Sequence, residues 1–426
     1  MVSKIRTLVN HSLFKEFSHL TLSTILFHLS RVLVELYVAR SVGPKVWGVW
    51  YILNLLLAYR TVFELGIVNA MNREVPFLSG KGDSIRAKDV TNTSFTSLLY
   101  LSLAVSICIL SIGLFLEDPD YRSKVFMLSI LFISSQFYYF TQTILKSQIQ
   151  FKLFSLQQFL FAILFPVLAV PMSSYFALEG FMLAYSITLF VGTLFIIYAG
   201  KIRLKVQLEK KLLVQLIKIG FPIMAVGITY TFLNTIDRWI ISGFVGIEAL
   251  GYYSLAIIVF GVINLLPRII SQQFYPRMIM EWGSEKSIQK LLSWTDKQKM
   301  IVGVIIYPIA IIIILFAPYL IRAWMPTYSE GIYAIQIIMI GPLFMPLSSG
   351  WGNVMNILNK QIYYLYNIIG AVLVNLALNL LFVHFGMGIN GVALGTTIAF
   401  ASYNISLMFT GKWAVRSYIF ESQRIQ

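Results

Sequence analysis

Apolar residues in this chain recur in long, nearly uncharged runs, such as 126–140, 153–171 and 301–315, instead of the one-sided stripes of water-soluble helices. About 20 such residues in a helix cross the hydrocarbon layer of a bilayer. On that rule the pattern predicts twelve spans, at 17–38, 46–68, 93–115, 125–145, 153–171, 178–199, 220–241, 249–268, 300–319, 331–352, 362–384 and 389–411. The connectors are short, and none has room for a folded soluble domain. No small-residue cleavage site follows the first span, which is therefore read as a retained helix and not a signal peptide. Ahead of it, Ile5 to Phe17 alternates Leu8, Leu13, Phe14 and Phe17 with Arg6 and Lys15, the pattern of an amphipathic helix lying on the inner leaflet.

Composition sharpens this picture. The 426 residues are 58% hydrophobic and 12% charged, against about 25% charged in soluble domains, which excludes a soluble enzyme and predicts an all-α polytopic membrane protein. There are 33 Lys+Arg and 18 Asp+Glu, a formal charge of +15. With the N-terminus inside, the inner segments hold 25 of the 33 cations and the outer segments only 5: Arg40, Lys45, Arg122, Lys124 and Arg322. Such an imbalance predicts cytoplasmic termini and removes the case for a nucleic-acid partner. The single cysteine, Cys108, supports neither a disulfide framework nor a thiolate metal site and is expected to pack. With no G-x-x-x-x-G-K-[ST] loop and no H-E-x-x-H motif, neither an ATP motor nor any cofactor is expected.

An internal repeat divides the chain. Val42-Gly43-Pro44-Lys45-Val46-Trp47-Gly48 is echoed by Val245-Gly246-Ile247-Glu248-Ala249-Leu250-Gly251, 203 residues later. Ile144-Leu145-x-x-Gln148-Ile149 returns as Ile357-Leu358-x-x-Gln361-Ile362, and Glu179-Gly180-x-x-Leu183 resembles Asn390-Gly391-x-x-Leu394. Six spans per copy is an even number, so both copies share one orientation about an axis along the membrane normal. The expected domains are a six-helix bundle over 1–200, a basic cytoplasmic linker over 201–215 and a second bundle over 216–426, enclosing a central cavity that opens to either face as the bundles rock.

Charges inside the spans mark the candidate site, because such residues face a bundle interior or a wet cavity. Arg31 and Glu35 in the first span, and Arg60 and Glu64 in the second, each share a helix face at i,i+4. Two guanidinium groups at successive depths suit bidentate contact with phosphate oxygens; a purely structural Arg–Glu pairing is the alternative. Glu35 and Glu64 would either orient an arginine or bind H⁺ or Na⁺ in a coupled cycle. Asp237-Arg238 in the seventh span is a third position, read either as cavity or as an outer ion pair; by the repeat, Arg238 replaces Glu35 and Asn234 replaces Arg31. Trp47, Trp50, Tyr51, Tyr252 and Tyr253 fall at span ends and are expected in an interfacial belt. His28 and His384 are read as interior or interface residues, and Gly391-x-x-x-Gly395 as a close helix contact.

The segments Ala39-Arg40-Ser41-Val42-Gly43-Pro44, Trp47-Gly48-Val49-Trp50 and Asn69-Ala70-Met71-Asn72-Arg73-Glu74-Val75-Pro76 resemble the first half of bacterial polysaccharide (O-antigen type) flippases. Gly220-Phe221-Pro222, Asp237-Arg238-Trp239-Ile240-Ile241 and Leu250-Gly251-Tyr252-Tyr253 are similar to the start of that family's second half. These flippases belong to the multidrug/oligosaccharidyl-lipid/polysaccharide (MOP) exporter superfamily. The resemblance implies passage of an undecaprenyl-pyrophosphate-linked oligosaccharide across the bacterial inner membrane, among membrane lipids and alongside polymerase and assembly proteins. Two rivals are a multidrug exporter of the same superfamily, which would place acids and not arginines at mid-cavity, and a polyprenyl-sugar glycosyltransferase or polymerase using Glu117-Asp118-Pro119-Asp120.

Overall fold

The computed structural model describes the backbone of residues 2–425 and the side chains of residues 22–421 and 423, so the expected anchoring face of Ile5 to Phe17 lies outside the described residues. Every regular element among the described residues is helical, as a chain in lipid requires when each backbone N–H and C=O must be bonded within its own segment. Two compact units result, Met1–Val42 with Leu53–Ile228, and Gly43–Ile52 with Thr229–Gln426. Among the described residues, nine helical stretches are long and apolar enough to cross a membrane by length and composition.

The first unit is built from α1 (Val2–Ala58), α2 (Arg60–Phe63), α3 (Ile67–Gly80), α4 (Ser84–Leu114), α5 (Pro119–Ser147), α6 (Phe151–Ala199) and the start of α7 (Lys210–Leu233). Both long helices are broken. In α1, Gly43 takes φ 79° and ψ 167° immediately before Pro44, which has the preset φ for a helix's first residue. In α6 the break falls at Phe176–Ala177, with Ala177 at φ 47°. Predicted spans one and two, and five and six, are thus joined by one- or two-residue breaks. Side-chain bonds fix directions: the hydroxyls of Ser23 and Ser30 donate to Gln158 Oε1 and to the Ala162 carbonyl, each at 2.9 Å, so α1 runs parallel to the first half of α6. α4 and α5 are antiparallel, with Ser106 donating to the Ser129 carbonyl at 3.0 Å and Phe95 lying 6.0 Å from Phe140.

Ile67, Ala70 and Met71 of α3 pack with Val90, Phe140, Ile144, Leu212 and Leu216 in one buried core. The basic stretch after α6 is strapped to α4. Lys205 N–H donates to Asn92 Oδ1 at 3.1 Å, Gln207 N–H to Thr96 Oγ1 at 2.9 Å, and Arg86 pairs with Glu209 at 2.8 Å. Cys108, expected to pack, instead lies on the exposed face of α4; its neighbours Ser106 and Ile109 turn inward and are buried.

The second unit contains α8 (Ile236–Ile240), α9 (Ile247–Glu285), α10 (Ile288–Trp324), α11 (Ile332–Ile338), α12 (Met345–Ser348), α13 (Trp351–Ile357), α14 (Gln361–His384) and α15 (Gly388–Ile425). The last two are antiparallel: Asn379 Nδ2 donates to Thr396 Oγ1 at 3.4 Å, Asn367 Nδ2 to Thr410 Oγ1 at 3.2 Å, and Lys360 pairs with Glu421 at 2.7 Å. A Cβ on Gly395 would stand 2.2 Å from Asn379 Oδ1, the close approach that Gly391-x-x-x-Gly395 predicts.

The repeat reappears as a contact. A Cβ on Gly48 would sit 2.0 Å from the Ile247 carbonyl oxygen, and one on Gly251 would sit 1.9 Å from the Pro44 carbonyl oxygen. Adding 203 to 44 and 48 gives 247 and 251, so each copy supplies the glycine that the other's carbonyl needs. This backbone-to-backbone approach overturns the interfacial-belt reading for Trp47, Trp50, Tyr51 and Tyr253. All four are at most 3% exposed, so they are enclosed by protein, Trp47 lying 6.2 Å from Trp50 and 6.0 Å from Tyr51 between ring centroids. Within the first unit Gly66 and Gly220 approach equally closely, a Cβ on Gly220 meeting the Gly66 carbonyl oxygen at 1.9 Å.

Candidate functional site

Arg31 and Glu35 stand on an unbroken part of α1, where four residues are one turn, and their side chains meet at 2.8 Å between Nε and Oε1. Glu35 is buried, while the Arg31 side chain keeps 28% of its surface exposed. The carboxylate therefore anchors the arginine from below and leaves part of the guanidinium open. Tyr185 of α6 lies within electrostatic reach of Arg31, Arg60 and Glu35, and its ring centroid lies 4.9 Å from that of Phe165, the two planes tilted by 44°.

Arg60 is held differently. Helix geometry fails on both sides of it: Tyr59 has φ −94° and ψ 13°, and Leu65 and Gly66 have φ 51° and 77°. A turn of helix still runs from Arg60 to Glu64, which stays right-handed before the chain turns left-handed at Leu65, and the Arg60 charge lies within electrostatic reach of the Glu64 carboxylate. No ion pair joins them among the described residues. The Arg60 guanidinium carbon instead lies 3.7 Å from the centroid of the Tyr139 ring, a cation–π contact. Its carbonyl oxygen accepts from Gln136 Nε2 at 3.4 Å, and its Nε is buried without a hydrogen-bond partner among the described residues. Glu64 is buried.

Arg31, Glu35, Arg60 and Glu64 thus all belong to the first unit, and Tyr139 and Tyr185 join the two arginines into one cluster. Neither tyrosine was singled out by sequence reasoning; the available signal was a phenol in the middle of an otherwise apolar span. Asp237 and Arg238 belong to the second unit. As neighbours in α8 they face different directions, and among the described residues no ion pair forms between their side chains; only the Arg238 backbone N–H donates to Asp237 Oδ1, at 2.8 Å. Arg238 lies 5.7 Å from the Tyr51 ring centroid. Asn234, the repeat counterpart of Arg31, turns its Nδ2 back to the Tyr230 carbonyl at 2.7 Å, where the helix breaks at Thr235.

Two further placements differ from expectation. Arg268 was set at the inner end of the eighth span, but α9 continues to Glu285 and Arg268 lines a cavity of the second unit. Glu117 to Asp120 form a helix start: Asp118 accepts from the Asp120 N–H at 2.8 Å, Pro119 opens α5, and Asp120 and Glu179 both pair with Lys124. Asp118 is thus committed to capping and Asp120 to ion pairing, which counts against the polymerase reading.

The sequence pattern of the family described as "Polysaccharide biosynthesis protein" matches residues 37–327. The chain belongs to that family. A Shigella flexneri protein named "Putative O-antigen transporter" is 22% identical over 331 residues, covering 73% of this chain and 77% of that one. A MATE-family multidrug resistance transporter of the MOP superfamily, solved in an inward-facing conformation, superposes with a TM-score of 0.79 at 16% identity, over 92% of this chain and 95% of the other. A MOP-superfamily transporter from Pyrococcus furiosus, whose binding pocket is reported as reversed in polarity, does so with a TM-score of 0.65 at 16% identity, over 95% and 96%. This polysaccharide biosynthesis protein thus has the fold seen in MOP-superfamily transporters, and its apolar helical stretches make it a multi-pass membrane protein.

Proposed function

We propose that the protein is a flippase moving undecaprenyl-pyrophosphate-linked oligosaccharide repeat units from the inner to the outer leaflet of the bacterial inner membrane, with both termini cytoplasmic. The observation that carries the reading is the paired setting of Arg31 and Arg60 beside Tyr139 and Tyr185. Two guanidinium groups are kept in an apolar unit, one tethered by Glu35 and one stacked on a ring with its Nε unspent. Such donors match a pyrophosphate, whose oxygens accept in pairs. A cationic drug would find them repulsive, which disfavours a multidrug exporter. Outward movement of the anion gains about 2.3 kcal/mol per charge per 100 mV from an inside-negative potential; Glu35 and Glu64 are the carboxylates available to couple H⁺ or Na⁺.

The test is mass spectrometry of polyprenyl lipids, with surface polymer scored in the same cells, in a strain lacking the protein. Accumulation of complete lipid-linked repeat units with no surface sugar is the expected result. Complementation with Arg60→Ala should restore about a tenth or less of export, since a charge-assisted hydrogen bond contributes about 1.5–3 kcal/mol, and Arg60→Lys should restore an intermediate amount. Normal lipids and normal polymer in the null strain would remove the flippase reading.

A further inference from the structure

The second unit holds a cavity of about 500 Å³, a size typical of small-molecule sites. Its wall is rich in carboxamides: Asn264, Gln272, Gln298, Asn353, Asn356 and Asn404. Tyrosines 230, 275, 364 and 403 add rings and hydroxyls, Arg268 is its one cation among the described residues, and no carboxylate lines it. Two features show that this is a built site and not a packing gap.

One is the run along α9. Asn264, Arg268, Ser271, Gln272 and Tyr275 recur at helical spacing, a polar stripe along a stretch that otherwise holds Val262, Ile263, Leu265, Leu266, Ile269 and Ile270. The other is the backbone opposite. The tenth span does not form one helix: Ser349 is extended at φ −58° and ψ 128°, and Gly350 is left-handed at φ 86° between α12 and α13. Ser348, Ser349 and Gly350 all line the cavity. Irregular backbone at membrane depth persists where it borders a wet cavity, and interrupted helices mark ligand sites in transporters.

The polar groups fall into two sets. Asn353 donates to Gln298 at 3.3 Å and accepts from Ser271 at 3.0 Å, while Asn404 donates to the Phe400 carbonyl at 2.7 Å and accepts from Ser348. These buried amides are fixed in place. By contrast Asn264, Gln272 and Asn356 have side chains with no hydrogen bond among the described residues, and each is half-buried or exposed into the space. Fixed amides, unspent carboxamides and tyrosine rings lining one cavity offer both donors and acceptors. That is the complement of vicinal hydroxyls, which also donate and accept.

We propose that this cavity is a carbohydrate-binding site taking the sugar part of the cargo. The proposal rests on the flippase reading for the source of the sugar, and assigns the glycan to residues other than Arg31 and Arg60.

The test uses the full-length protein in detergent, with Cys108→Ser as background and Asn356→Cys as the reporter. The probe is the oligosaccharide freed by mild acid from the polyprenyl lipids of the producing strain, compared with the intact lipid, inorganic pyrophosphate and tetraphenylphosphonium. The freed oligosaccharide should slow maleimide labelling of the introduced thiol, and pyrophosphate and the organic cation should not. In an Asn356 protein, Gln272→Ala should weaken oligosaccharide binding roughly fivefold by calorimetry, the effect of one neutral hydrogen bond. Gln272 is exposed, so this change leaves the fold intact; Asn404→Asp, among the fixed amides, should weaken binding more. Stabilisation by the intact lipid with no shielding of the thiol by any sugar would overturn the carbohydrate site and leave the flippase standing. Shielding by pyrophosphate or by the cation would also overturn it. Failure of the null strain to accumulate lipid-linked sugar is the separate result that counts against the flippase itself.

Discussion

The candidate cluster of the first unit is built on charge, and the cavity of the second is built on amides. In the first, Arg31 has a carboxylate of its own and Arg60 a ring face of its own. Each charge needs a dedicated partner because an unpaired one is costly in apolar surroundings, so the cluster stays small. Carboxamides can satisfy one another, as Asn353 does with Gln298 and Asn379 with Asn375, so many fit in one unit. A pair of repeats that began alike has in this way come to offer two kinds of recognition.

The sharpest test of that contrast is Arg31→Ala. It leaves Glu35 buried and unpaired, and the purified protein should lose about 3 kcal/mol or somewhat more of stability. Adding Glu35→Ala should restore most of the melting temperature without restoring export. If the double variant melts as low as the single one, the carboxylate is not what the arginine neutralises.

Gly251→Ala comes next. Its Cβ would land 1.9 Å from the Pro44 carbonyl oxygen, and overpacking of this kind costs about 1–3 kcal/mol. Gly243→Ala, with nothing within 4 Å of the new Cβ, is the matched control. Equal elution profiles for the two on size exclusion would show that the close approach is not formed in solution.

The smallest effect separates the units by ionic strength. Raising salt from 0.05 to about 0.5 M should weaken pyrophosphate-lipid binding severalfold through screening around Arg31 and Arg60, while oligosaccharide binding at neutral amides should hardly move. A parallel fall in both titrations would make the two sites one.

Much of this was readable from the chain. The apolar runs predict helices because lipid allows little else, and the last glycine of each of the 42–48 and 245–251 echoes, Gly48 and Gly251, is the one that meets the other copy. Arg31 and Glu35 pair as their spacing predicts because α1 is regular there. Arg60 and Glu64 share a turn of helix but close no ion pair among the described residues, and the Arg60 guanidinium lies instead over the Tyr139 ring, a long-range contact that spacing does not reveal. Trp47 and Trp50 misled for a similar reason: a tryptophan at a span end looks interfacial until a helix from the other repeat covers it. Arg268 was missed because hydropathy ended the eighth span at the first charge, although the stripe from Asn264 to Tyr275 already has helical period.

The reciprocal meeting of Gly48 with Ile247 and of Gly251 with Pro44 has the form of an isologous interface, the kind that closes a two-fold homodimer. Two identical ancestral chains could have met through this one patch before their genes were joined. A fusion of two such chains would let each copy change independently over most of its length, but not at this seam, where a larger residue in either copy is blocked by the other's backbone. Divergence of Asn234 from Arg31 and of Arg238 from Glu35 was open to drift and selection, whereas the two glycines are bound to each other's history.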